Sequence, residues 1–276
     1  MNRPAVVATA AALAVLSGCA SGAGRGDFDT ASVGYLEVET LDRMARAVPP
    51  PPEPGTPAYQ ADIEQSERYR VFEDTDRWLL ATSHAEVRPP LALQHFDCAL
   101  GVRLGDAETP TLDRMMARIF HDTDAVAEQV KARAHRARPV GDDPDRRSCQ
   151  AVTAASRAGA SYPSGSAALG TAYGEAFAAI APERAEAVRR IGLEMGVSRL
   201  VCGMHYPSDV AAGEAVGRAV VAELIATPAF QRDLPAARAE IEAARATGRT
   251  SPGCAAERLA LTPTLTLTPA LAAPLS

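Results

Sequence analysis

Between residues 110 and 226 the chain consists almost entirely of segments in which apolar side chains recur every three or four residues. That period is typical of amphipathic helices, and strand-like alternation is confined to short stretches such as GYLEVET near Tyr35. Aromatic residues make up 5% of the sequence and alanine is abundant, which favours helices packed through small side chains. The sequence therefore predicts an all-α, single-domain helical bundle without internal repeats.

Four segments carry the helical pattern, and each opens with a serine, proline or glutamate that favours a helix start. The first predicts two consecutive helical stretches that end at Pro139, with Lys131 and Arg138 on one face of the second. The four segments span residues 109–139, 166–181, 182–206 and 207–226.

The first eighteen residues combine one arginine, an apolar run and small residues, the pattern of a secretory signal. The run is too short to span a bilayer comfortably. Its end, Leu16-Ser17-Gly18-Cys19, resembles the lipobox of bacterial lipoproteins, in which the cysteine is lipidated. Plain cleavage near Ala20 is the alternative. We therefore expect an exported, periplasmic protein, anchored to the outer membrane through a lipid on Cys19.

The composition of the two ends predicts that they lie outside the folded domain. Residues 19–55 contain glycine and the run Pro49 to Pro52, which is typical of a tether and extended arm. The Thr/Pro/Leu/Ala-rich sequence from Leu261 has no helical period and is typical of a disordered tail. We expect the helical domain at residues 56–245 and the tail at 246–276.

Export makes the four remaining cysteines candidates for two disulfides, which can pair in three ways. Proximity in the sequence favours Cys98–Cys149 and Cys202–Cys254, and four buried thiols are the alternative. No metal-ligand spacing occurs among them, and we expect no metal and no cofactor. The formal net charge of −6 argues against a nucleic-acid partner and against binding to an anionic membrane surface. The sequence does not indicate an oligomeric state.

Three clusters of polar residues interrupt the apolar pattern. Each has an ordinary structural explanation: a solvated basic face, a helix cap and a structural histidine. Together they supply three fixed positive charges, a set of hydroxyl and backbone donors, and a histidine nucleophile with an aspartate nearby. Phosphoryl transfer requires such parts around the transferred oxygens. The clusters are KARAHRARP at 131–139, SYPSGS at 161–166 and SRLVCGMHYPSD at 198–209.

The order and spacing of these clusters resemble the signature of the type 2 phosphatidic acid phosphatase superfamily. Lys131-x6-Arg138-Pro139, Pro163-Ser164-Gly165-Ser166 and Ser198-Arg199-x5-His205-x3-Asp209 carry the likeness. The neighbouring residues at 96–102, 159–165 and 196–213 are similar to those of the bacterial class A non-specific acid phosphatases in particular. The resemblance covers roughly residues 49–230 and implies an all-helical core and a metal-free hydrolysis of small phosphomonoesters.

The resemblance also implies roles for individual residues. His205 would attack phosphorus and form a phosphohistidine, with Asp209 orienting its ring. The phosphoryl oxygens would be held by Lys131, Arg138, Ser164, Gly165 and Arg199.

Ser166 departs from the family pattern, which has a histidine here that protonates the leaving oxygen. Loss of a general acid typically costs about 10²–10⁴-fold in rate. His135 and His121 are possible substitutes, as is a water held by the Ser166 hydroxyl. The alternatives to an acid phosphatase are a catalytically weak phosphate-binding lipoprotein, a lipid-phosphate phosphatase and, more distantly, a haloperoxidase.

Overall fold

The computed structural model describes residues 33–267. This part of the chain contains twelve α-helices and four short 3₁₀ helices, and it contains no strand. Side chains are described as far as residue 262. The prediction of an all-α bundle is confirmed. The helices are α1 (Val38–Ala47), α2 (Pro57–Arg68), α3 (Asp76–Ser83), α4 (Asp97–Leu100), α5 (Pro110–Arg133), α6 (Pro139–Asp142), α7 (Ala154–Ala158), α8 (Gly165–Ile180), α9 (Ala185–Val201), α10 (Pro207–Leu224), α11 (Pro228–Ala246) and α12 (Cys254–Leu267).

Helix α8 is the central element, since α9, α10 and α5 all pack against it. Glycine lets the backbones approach closely. A methyl group on Gly192 of α9 would lie 2.4 Å from the carbonyl oxygen of Gly170 in α8. A methyl group on Gly213 of α10 would lie 2.3 Å from the carbonyl oxygen of Ser164. The glycines therefore bring α10 close to the start of α8 and α9 close to α8 further along the helix.

Helix α5 is one continuous helix, whereas the sequence predicted two stretches. The polar residue Asp122 interrupts the apolar pattern but is fully buried. Its carboxylate accepts hydrogen bonds from the backbone N–H groups of Tyr35 and Leu36, at 2.7 and 3.1 Å. An incoming segment of chain thus satisfies the carboxylate and removes the need for a helix break.

The same helix corrects a second prediction. Helix α5 ends at Arg133, and Arg138 is the N-cap residue of α6. Lys131 and Arg138 are therefore not two turns apart on one helix, and the chain between them turns.

The predicted tether contains helix α1, which packs on α5 with Leu41 and Ala45 buried. Within the predicted disordered tail, the described residues include helix α12, which contacts α3. Ala260 and Leu261 are buried there. Both ends of the described chain are thus helical and packed where the sequence predicted an arm and a disordered tail.

The two disulfides join Cys98 to Cys254 and Cys149 to Cys202, so the pairing predicted from proximity is wrong. The first bond ties α12 to α4, across 156 residues of sequence. The second ties the end of α9 to the segment before α7. The packing of helices α12 and α9, and not distance in the sequence, therefore determines which cysteines form disulfides.

The predicted export signal and Cys19 lie outside the described residues. Among the described helices, none combines the length and the hydrophobicity that crossing a bilayer would need.

Candidate active site

The N-terminus of α8 carries the predicted phosphate-binding turn. Ser164 is the N-cap, and its hydroxyl accepts a hydrogen bond from the Ala167 N–H at 3.2 Å. Its own N–H donates to the Asp209 carbonyl at 2.9 Å, which fixes the turn against the start of α10. Helix geometry leaves the N–H groups of Gly165 and Ser166 without an intrahelical acceptor. These two donors and the positive end of the helix can receive an anion.

Three cations from three different elements lie near this turn or near His205. Lys131 lies in the last turn of α5, and a methyl group on Gly165 would be 3.2 Å from its Nζ. Arg138 places Nη1 3.2 Å from His205 Nε2. Arg199, in the last turn of α9, is 4% exposed, and its Nη2 donates to Gln150 Oε1 at 2.7 Å. Together with residues 164–166, we call these three residues the cradle.

His205 lies on the floor of the cradle, in the turn between α9 and α10, and is 3% exposed. Its Nδ1 is 2.7 Å from the carbonyl oxygen of Ser161. A carbonyl can only accept, so Nδ1 carries the proton and Nε2 keeps its lone pair. The free nitrogen is the one that faces Arg138.

The surroundings also keep this histidine uncharged. Burial lowers the pKa of His205 well below its usual value of 6.5. The charges of the three cradle cations lower that pKa further. An imidazole that stays neutral in acid is available as a nucleophile over an acidic pH range.

Asp209 is fully buried and lies one turn after His205, but the two side chains are not in hydrogen-bond contact. Asp209 Oδ2 is 4.0 Å from His205 Nδ1. The same oxygen accepts from the Ser161 hydroxyl at 2.6 Å and from the Tyr206 N–H at 2.7 Å. Asp209 therefore reaches the histidine through Ser161, whose carbonyl oxygen binds Nδ1, and not through the direct contact that the spacing suggested.

Sequence reasoning missed the residues that hold Asp209. Arg136 is 7% exposed, and its Nη1 donates to Asp209 Oδ1 at 2.8 Å. Its Nη2 donates to Asp62 Oδ2, also at 2.8 Å. Arg136 lay within the basic cluster at 131–139, so a signal for it existed. Asp62 is 74 residues away and had none.

The surroundings of Asp209 raise the pKa of its carboxyl. Burial raises the pKa of Asp209, and Arg136, Ser161 and the Tyr206 N–H lower it in part. An ion pair between buried partners compensates for desolvation only when the remaining polar atoms are also satisfied. Here the carboxylate has partners on both oxygens.

The residues considered as general acids are placed differently from one another. Ser166 is half-buried in the first turn of α8. His135 is exposed, and its Nε2 is 3.3 Å from the Ala158 carbonyl oxygen. His121 is ten residues before Lys131 on α5, about 15 Å along the helix, and contacts Asp122. The structure does not bring His121 to the cradle.

Within residues 33–267 no group of three or more His, Cys, Asp or Glu side chains is arranged to hold a metal ion. The positive charge at the cradle comes from the side chains themselves.

Comparison with known proteins gives a consistent result. A model of the PAP2 superfamily matches residues 120–233, a range that includes all three clusters of the cradle. An acid phosphatase of Zymomonas mobilis is 32% identical over 205 residues, which cover 73% of this chain and 76% of the relative. A non-specific acid phosphatase of Providencia stuartii is 29% identical over 212 residues, 73% of this chain and 82% of the relative. A non-specific acid phosphatase of Salmonella typhimurium is 32% identical over 206 residues, 70% of this chain and 78% of the relative.

Proposed function

The chain belongs to the PAP2 superfamily and is an enzyme of the acid phosphatase type, and we propose that it hydrolyses phosphomonoesters through a phosphohistidine on His205. The observation that carries the proposal is the state of His205. Its Nδ1 donates to a carbonyl, its Nε2 is unprotonated and accepts from Arg138 Nη1, and three cations lie around it.

Substrate binding follows from the charges. A phosphate monoester carries up to two negative charges, and Lys131, Arg138 and Arg199 offset them without a metal ion. The free N–H groups of Gly165 and Ser166 add hydrogen bonds to the phosphoryl oxygens. These donors are in place before the reaction, so they stabilise the charge that develops in the transition state.

The first chemical step is attack by His205 Nε2 on phosphorus while the bond to the leaving oxygen breaks. As the Nε2–phosphorus bond forms, the imidazole becomes positively charged and still donates its Nδ1 proton to Ser161. Asp209, 4.0 Å from Nδ1, stabilises that positive charge. In the second step water attacks phosphorus, the Nε2–phosphorus bond breaks, and phosphate is released.

Ser166 limits this chemistry, because a serine hydroxyl does not donate a proton readily near neutral pH. The departing alkoxide of an alkyl phosphate needs a proton, whereas a nitrophenolate leaves as an anion. We therefore propose that hydrolysis of alkyl phosphates is reduced unless another residue supplies the proton.

We also propose that the protein is exported and lipidated on Cys19. The apolar run, the lipobox-like sequence and the two disulfides support this, since structural disulfides persist in oxidising compartments.

The test is phosphate release by the purified full-length chain from nitrophenyl phosphate and from an alkyl phosphate, between about pH 4 and pH 8. Turnover that vanadate and inorganic phosphate inhibit competitively, and that chelators leave intact, is expected. Binding of phosphate without turnover of either ester would identify a phosphate-binding protein instead. Loss of activity in chelator, restored by a divalent ion, would refute the metal-free mechanism.

A further inference from the structure

The proposed function does not identify the group that donates a proton to the leaving oxygen of an alkyl phosphate. His205 is buried on the floor of the cradle, so an in-line displacement sends the leaving oxygen toward the solvent-facing mouth. A replacement for the acid that Ser166 cannot supply must therefore lie at that mouth, within reach of residue 166.

Glu128 lies there. It is one turn before Lys131 on α5, and its Oε1 is 2.6 Å from Lys131 Nζ. That same Nζ is 3.2 Å from the position of a methyl group on Gly165. The ion pair with Lys131, together with the close approach of Lys131 to Gly165, thus places the Glu128 carboxylate near the residue that precedes Ser166. The side chain is 57% exposed, as a group at the mouth would be.

The charges that face Glu128 come from two elements. Lys131 and Asp124 are on α5 with it, and Arg138 lies at the start of α6. The carboxylate interacts with both cations, because it raises the pKa of Arg138 as well as pairing with Lys131. It therefore stands beside two of the three cations that would hold the phosphoryl group.

The other candidates are less well placed. His135 is exposed, and its Nε2 is 3.3 Å from the Ala158 carbonyl oxygen. Asp124 is one helical turn further from Lys131 than Glu128 is, and it is half-buried. Among the described residues, Glu128 is the carboxylate that pairs directly with the cradle.

On the basis of the proposed function, we infer that Glu128 is the general acid that replaces the missing histidine at position 166. When a phosphate monoester enters, Lys131 Nζ donates to a phosphoryl oxygen, and the Glu128 carboxyl that pairs with this ammonium group lies beside the ester.

The proton then follows the bonds that change. As His205 Nε2 bonds to phosphorus and the ester bond breaks, the carboxyl proton of Glu128 passes to the leaving oxygen, giving the alcohol. In the second step the Glu128 carboxylate takes a proton from the attacking water, whose oxygen bonds to phosphorus as the Nε2–phosphorus bond breaks. Ester and water are consumed, alcohol and phosphate are produced, and Glu128 is again protonated.

The experiment compares Glu128→Gln with the parent on nitrophenyl phosphate and on an alkyl phosphate. We expect kcat on the alkyl ester to fall about 10²–10⁴-fold and kcat on the aryl ester to change much less. Glu128→Asp keeps a carboxyl on a shorter side chain. Its kcat on the alkyl ester should lie between that of the parent and that of Glu128→Gln. Glu223→Gln is the control, since Glu223 is 52% exposed, pairs with Arg43 and lies on α10.

A second arm places Ser166→His in the Glu128→Gln protein and should restore much of the alkyl activity. Equal effects of Glu128→Gln on both esters would overturn the inference, as would a lower KM with kcat unchanged, because Glu128 would then only compete with phosphate for Lys131. A parent that hydrolyses neither ester, or an active His205→Ala protein, would instead refute the proposed function.

Discussion

At the scale of single residues, the unusual feature is His205, the proposed nucleophile, whose surroundings keep it neutral in acid. An ordinary imidazole with a pKa of 6.5 is mostly protonated in acid and cannot attack. Burial and three nearby cations keep His205 neutral, and the Ser161 carbonyl selects the tautomer. In the proposed mechanism the same cations bind the substrate, so one set of side chains would act on both partners of the reaction.

Ser161 is the residue through which Asp209 reaches His205, and its hydroxyl can be removed without touching the carbonyl that binds Nδ1. Ser161→Ala should lower kcat about 10-fold to 10²-fold, because the ring is less well held, and leave KM nearly unchanged. Steady-state kinetics on nitrophenyl phosphate measure this. Ser83→Ala, an exposed serine at the end of α3, is the control. A rise in KM with kcat intact would show that Ser161 binds substrate and does not position the nucleophile.

The candidate site was largely readable from the sequence because its clusters are local. Lys131, Arg138, Arg199 and His205 all lie near a helix terminus, where a short sequence pattern and the local structure coincide. Asp62 contacts Arg136, which is 74 positions away in the sequence, and Gln150 contacts Arg199, which is 49 positions away. A local sequence pattern does not predict such contacts. The placement of Glu128 needed the geometry of the turn at residue 165.

At the scale of helices, the cradle depends on how closely α10 approaches α8. Gly213 faces the carbonyl of Ser164, the N-cap of α8, whereas Gly192 of α9 faces Gly170, further along α8. Both contacts are with backbone atoms, so a side chain at either position must push helices apart.

Gly213→Ala and Gly192→Ala should both lower stability by about 1–3 kcal/mol, since the overpacking outweighs the gain in helix propensity. Gly213→Ala should lower kcat/KM far more, because it displaces the turn that carries Ser164 and Gly165. Thermal unfolding and kinetics on the same preparations separate the two effects. Equal losses of kcat/KM at equal losses of stability would show that the approach of α10 to α8 does not set the site.

Helices could be predicted from the sequence where apolar residues recur with a regular helical period. Helix boundaries could not be predicted where tertiary contacts determine them. The break expected within α5 is absent because the arm at Tyr35 and Leu36 satisfies Asp122. Helices α1 and α12 form in segments of unpromising composition because α5 and α3 offer surfaces on which they pack.

At the scale of the whole molecule, the disulfide from Cys98 to Cys254 joins helix α4 to helix α12 near the C-terminal end of the described residues. It lies beside Asp97, a carboxyl that is 5% exposed and accepts a hydrogen bond from the Leu104 N–H at 3.0 Å. Burial raises the pKa of Asp97 from 3.8 to about 6. This part of the core therefore favours a protonated carboxyl and is suited to acidic conditions.

Because the folded-state pKa of Asp97 is the higher one, its favourable contribution is complete below about pH 4 and is lost as the pH rises through about 6. Asp97→Asn mimics the protonated form and keeps an acceptor for Leu104. It should raise the free energy of unfolding at pH values near 8 by at most about 3 kcal/mol and leave it unchanged near pH 4. Denaturant unfolding at both pH values measures this, with Asp76→Asn, an exposed carboxyl in the first turn of α3, as control. An equal gain in the free energy of unfolding at both pH values would contradict the raised pKa of Asp97.

The most direct measurement of the central claim is the capture of the covalent intermediate. The enzyme is mixed with a labelled aryl phosphate, quenched in alkali, in which a phosphoramidate survives, and digested for peptide mapping. We expect label on the peptide that contains His205, bound to Nε2, and no label and no turnover in His205→Ala. Label on any other residue, or phosphate release by His205→Ala at the parent rate, would contradict it.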